Sequence, residues 1–109
     1  MQQHEKSILC RSTHGFLSVL HHGLAYVFTF KNIELLFEPD EIGAFKQTLE
    51  DLDEHEWFYA SEGKFVLLSI GRMNACVYLT GDEVEEMVKL LQEASVMVKV
   101  HQRLVNRVR

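Results

Sequence analysis

Shifted by 42 positions and laid against itself, the chain corresponds to itself without a gap. Asn32-Ile33-Glu34-Leu35-Leu36-Phe37-Glu38-Pro39-Asp40-Glu41-Ile42 stands over Asn74-Ala75-Cys76-Val77-Tyr78-Leu79-Thr80-Gly81-Asp82-Glu83-Val84. Asn, Asp and Glu recur as identities, while Leu35/Val77, Phe37/Leu79 and Ile42/Val84 recur in kind. At the same offset Ile42, Phe45, Leu49 and Leu52 fall on Val84, Met87, Leu91 and Ala94. That spacing puts each set on one face of an α-helix. Pro39 and Gly81 break the preceding strand, and Asp40-Glu41 and Asp82-Glu83 suit the positive end of a helix.

Upstream of each helix the pattern turns to strand. In the first half, strands are expected over 16–20, 24–30 and 33–37, with turns at His21-His22-Gly23 and Lys31-Asn32. The second half repeats this over 57–60, 65–70 and 75–79, with turns at 61–64 and 71–74. Six strands joined by such short turns must pair mainly antiparallel. The expected fold is therefore α+β: a duplicated β-β-β-α unit, over about 15–54 and 57–96, in one domain of 109 residues.

The second helix outruns the first. Continued to the C-terminus it would be about 40 Å long. Val84, Met87, Leu91, Ala94 and Val98 form one apolar face; Leu90, Met97, Leu104 and Val108, with Val100 nearby, form a second. A helix apolar on two sides must bury both, and a small core can cover only one. The second face is expected to be an interface, in a homodimer or with another protein. Lys99, Arg103, Arg107 and Arg109 follow the last acid, Glu93. They suit a helix C-terminus or an acidic partner.

A net charge of -5 argues against general nucleic-acid binding. Two cysteines, Cys10 and Cys76, read as reduced thiols in a cytoplasm. The start lacks a signal-peptide layout, and no run approaches the ~20 apolar residues that span a bilayer. Phosphate-loop, dinucleotide, nucleophile-elbow, H-E-x-x-H and paired C-x-x-C patterns do not occur.

One constellation has metal-ligating chemistry: Cys10, His14, His21 and His22, with His4 and His55 further off. Thiolate and imidazole are zinc's preferred donors. On a straight strand, Cys10 and His14 would lie ~13 Å apart, so only a turn at Ser12-Thr13 could bring them onto one ion. The blander reading makes Cys10 a small core residue and the histidines turn residues. Cys10 as a nucleophile would need a nearby positive charge, and in sequence only Arg11 is close. The acids at 50–56 read as a solvated helix end, and Trp57-Phe58-Tyr59 with Phe16, Tyr26, Phe28 and Phe30 as sheet core.

Cys10-Arg11-Ser12-Thr13-His14-Gly15-Phe16, followed by Leu20-His21-His22-Gly23, resembles the N-terminal signature of an uncharacterised family of short Bacteroidetes proteins. The resemblance covers chiefly residues 10 to 40. It implies a cytosolic domain with no assigned activity and draws Cys10, His14, His21 and His22 together as one unit. The leading expectation is a non-enzymatic domain that self-associates or docks a partner through its C-terminal helix, with no cofactor. The alternative is a zinc or small-ligand site at Cys10/His14/His21/His22.

Overall fold

The computed structural model describes residues 7–52, 57–60, 63–69 and 76–108. Its elements are β1 (Ile8–Arg11), β2 (Gly15–Leu20), β3 (Ala25–Phe30), β4 (Ile33–Phe37), α1 (Glu41–Glu50), β5 (Trp57–Ala60), β6 (Gly63–Ser69), β7 (Cys76–Thr80) and α2 (Gly81–Val108). The fold is α+β, and every strand pair among the described residues is antiparallel. The strands form two sheets, ordered β1-β2-β3-β4 and β5-β6-β7. The second helix is long and C-terminal, as its sequence pattern predicts.

The sequence pattern does not reveal β1. Its four residues are too few to show alternation, and a register shift between Ile8 and Cys10 interrupts its pairing with β2. In β3 the alternation is plain: Tyr26, Phe28 and Phe30 point into the core, and Val27 and Thr29 point away. The β3–β4 connection needs only Lys31 and Asn32, so Phe30 pairs directly with Ile33.

Both helices start where the breakers predict, and α2 carries a reciprocal cap. The Glu83 N–H donates to Thr80 Oγ1 at 3.1 Å, and the Thr80 N–H donates to Glu83 Oε1 at 2.9 Å. The start of α1 has half of this device, with the Glu38 N–H donating to Glu41 Oε1 at 2.7 Å. Burial agrees at several positions 42 apart. Phe37 and Leu79, Ile42 and Val84, and Leu49 and Leu91 are buried, while Leu36 and Tyr78 are exposed.

Val84, Met87, Leu91, Ala94 and Val98 form the expected buried face of α2. Through it the helix packs on β1 and β2, on α1, and on β6 and β7. Phe45 of α1 closes the far side, its ring 5.3 Å from Phe37 and 6.3 Å from Phe28. Side chains of this size contribute roughly 1.5–3 kcal/mol each when fully buried, so the residues meeting along α2 are the main source of stability.

One interface residue expected from the sequence is corrected here. Leu90 is only 2% exposed and belongs to the core of the single chain. Its Cδ2 lies 3.2 Å from where a side chain on Gly15 would begin, so the helix sits close enough to β2 to need a wider apolar stripe. Met97 is partly buried against the same core. Val100 and Leu104 do face outward. The side chain of Val108 lies outside the described residues, as do those of Cys76, Trp57, Phe58 and Tyr59. Residues 53–56, which hold His55 and most of the acidic run, lie outside them altogether, as does His4.

Candidate functional site

The four residues considered as zinc ligands fall at three places. Cys10 is buried in β1. Burial, with the charge of Glu93, pushes its thiol up to about 11 despite a hydrogen bond with the Leu17 backbone. A thiol held protonated is a poor nucleophile and a poor ligand. His14 lies in the turn before β2, and His21-His22 lie directly after β2. The six residues of that strand span roughly 20 Å, so the histidines stand at opposite ends of it. Among the described residues no three His, Cys, Asp or Glu gather closely enough to hold a metal ion.

What the structure does with these residues is fasten both ends of β2 to α2. At the first end, the Ser12 N–H donates to Gly15 O at 2.8 Å and closes the turn that Ser12-Thr13 had to make. Glu86 grips this turn from α2. Its Oε2 accepts from Ser12 Oγ at 2.6 Å and from the His14 N–H at 2.8 Å. Its Oε1 lies 2.8 Å from His14 Nδ1. Partial burial would raise the Glu86 carboxyl, but the hydrogen bonds from His14 and Ser12 outweigh it and hold the group at about 2. Beside it, Lys31 Nζ reaches Glu83 Oε2 at 2.6 Å, and the Lys31 N–H donates to His14 O at 2.8 Å. Both hairpin loops at this end are thus tied to the first turns of α2.

The other end is held by an amide, a phenol and an imidazole. His21, His22 and Gly23 take φ of 51, 56 and 98°, a left-handed turn in which two of three residues are not glycine. Gln102 Nε2 donates to Gly23 O at 2.7 Å and to the Tyr26 hydroxyl at 2.8 Å. The Tyr26 hydroxyl also lies 2.8 Å from His101 Nδ1, so this buried hydroxyl has two partners on α2.

The Ser12, His14, Gly15 and His21-His22-Gly23 positions therefore work as two docking turns. Their partners Glu86, Tyr26, His101 and Gln102 do not stand out in the sequence as site residues. Tyr26 gives a signal: a buried tyrosine needs a hydroxyl partner. Glu86 gives none, since its partners lie more than 70 positions away.

A third arrangement lies on the outward side of α2. Val96, Val100 and Leu104 are 60, 45 and 55% exposed and stand four residues apart, one above the other. Val96 is an addition to the face expected from the sequence. Arg103 and Arg107, with Val100, Leu104 and Asn106, border a concavity of about 560 Å³. Lys31, Lys46 and Lys89 each meet a carboxylate, whereas Arg103 and Arg107 have no ion-pair partner among the described residues.

Two antiparallel sheets gathered on one long helix, with both ends of a strand clasped to it, define a small α+β domain organised by its C-terminal helix. The chain belongs to the family of unknown function DUF6686, whose profile matches residues 1–106. No curated protein and no solved structure matches it. No helix among the described residues is long and apolar enough to cross a membrane.

Proposed function

We propose that this is a non-enzymatic cytoplasmic interaction domain whose working surface is the outward stripe of α2, and that the stripe takes a protein segment with an apolar face flanked by carboxylates. The observation that carries the reading is the combination at Val96, Val100 and Leu104: exposed apolar side chains in register, flanked by two arginines without intramolecular partners among the described residues. Arginines beside apolar surface suit carboxylate recognition, because the guanidinium is weakly hydrated and bonds a carboxylate through two N–H groups. The His14 and Tyr26 clusters support the same reading, since their hydrogen bonds hold loops onto α2 and stiffen it as a platform.

The test uses a fluorescent synthetic helical peptide with a leucine stripe flanked by glutamates, followed by anisotropy. Saturable binding that weakens with salt is expected, with a loss of at least about tenfold in R103E/R107E and in Leu104→Glu, both still folded by circular dichroism. No binding, or binding indifferent to these changes, would overturn the reading. We infer also that the two halves descend from one duplicated β-β-β-α unit, supported by the matched burial at positions 42 apart.

A further inference from the structure

Resting on the docking reading above, we propose that the occupant of the α2 stripe is a second copy of this chain, packed antiparallel with Val100 on the two-fold axis. The stripe is self-complementary about that residue. A two-fold interface sets each position against its mirror image, so whatever lies three or four residues before Val100 meets what lies as far after it in the other copy. Val96 then meets Leu104 of the partner subunit, Val100 meets its own counterpart, and Glu93 meets Arg107 of the partner subunit. Glu93 is exposed, stands on the same side of α2 as Val96 and Val100, and has no ion-pair partner among the described residues. One acid and one base without ion-pair partners among the described residues are brought together twice by one operation.

The opposite orientation does the reverse. Parallel packing in register would set Arg103 and Arg107 beside their own counterparts and Glu93 beside Glu93, a like-charge arrangement that associating surfaces avoid. The antiparallel overlap runs from about residue 92 to 108, roughly 25 Å of helix. The core-facing residues, Leu90 among them, stay in their own domain. Three apolar side chains per copy bury less than the ~800 Å² per partner of a standard interface. The association is therefore reversible, with a dissociation constant on the order of 10–100 μM.

The experiment is sedimentation of the full chain at several concentrations. The wild type is expected to move from monomer to dimer across the micromolar range. Glu93→Arg and Arg107→Glu should each weaken the dimer at least about tenfold. The double exchange E93R/R107E, which restores opposite charges, should recover it to within a few fold. Val100→Cys, in a background lacking Cys10 and Cys76, should form an interchain disulfide on mild oxidation, and Lys99→Cys should not. A double exchange no better than the single variants, or equal cross-linking at the two sites, would overturn the arrangement. A wild type monomeric into the millimolar range that still binds the acidic peptide would remove the second copy and leave the docking surface. A monomer that also ignores the peptide would end both.

Discussion

The two turns that flank β2 do the same job with opposite chemistry. At Ser12–Gly15 a single ionised carboxylate from α2 takes three donors. At His21–Gly23 an amide, a phenol and an imidazole nitrogen share protons, and no charge is needed. The first turn has a shape that residues adopt readily and lies where water can reach its ions. The second holds three consecutive left-handed residues over a tyrosine with no exposure at all. The tyrosine hydroxyl there is cut off from water, so its partners have to come from the protein. One turn is set by electrostatics and tolerates water; the other is set by shape and by hydrogen bonds to a buried hydroxyl.

Substitutions can separate these two accounts, and the largest effect is expected at Gly15. A Cβ there would stand 2.6 Å from the backbone oxygen of Thr29 and 3.2 Å from Leu90 Cδ2. The carbonyl cannot move without breaking the β2–β3 pairing. Gly15→Ala should destabilise the fold by about 3 kcal/mol, read from the denaturant midpoint. Gly23→Ala meets a left-handed backbone and the ring of His101 at 3.0 Å, but that ring can shift. A loss of about 1–2 kcal/mol is expected, and a loss exceeding that of Gly15→Ala would show the second turn to be the more rigid one.

Removing the charge of the first clasp is expected to act through pH. In the fold Glu86 stays ionised down to about 2, against 4.5 for an ordinary glutamate. The unfolded chain therefore takes up this proton first. The contribution of the clasp is complete above about pH 4.5 and is lost as pH falls towards 2. Glu86→Gln should flatten that part of the stability profile, and at neutral pH it should cost about 1–2 kcal/mol. The smallest effect is expected from Tyr26→Phe, about 1 kcal/mol for the lost hydroxyl, with the acid limb unchanged. An acid limb altered by Tyr26→Phe would mean that the second clasp carries charge after all.

The alternation in β3 and the three-and-four spacing in α2 are local properties, so the residue order alone makes them legible. The shift between Ile8 and Cys10 hides β1, because four residues with a bulge carry too little period to recognise. The cap between Thr80 and Glu83 is local too, yet the residue order marks the start of α2 by Gly81 and its acids without fixing which residues cap it. The site is harder. His14, His21 and His22 stand out for their chemistry, but what each does depends on residues of α2 far along the chain, and β2 holds them apart. Leu90 misleads for a similar reason: helical period says which residues share a face, while the closeness of Gly15 decides how wide the buried face must be.

Because α2 follows the seven described strands in the chain, the residues it covers are present before their cover is. Leu17, Phe28 and Phe30 emerge early, and the helix that shields them comes only after β7. Contacts spanning more than 70 positions, such as Ser12 with Glu86 and Tyr26 with His101, cannot form piecemeal. Folding should thus be slow for a chain of this length and should proceed as one cooperative event. The interval before it is when exposed strand edges invite aggregation.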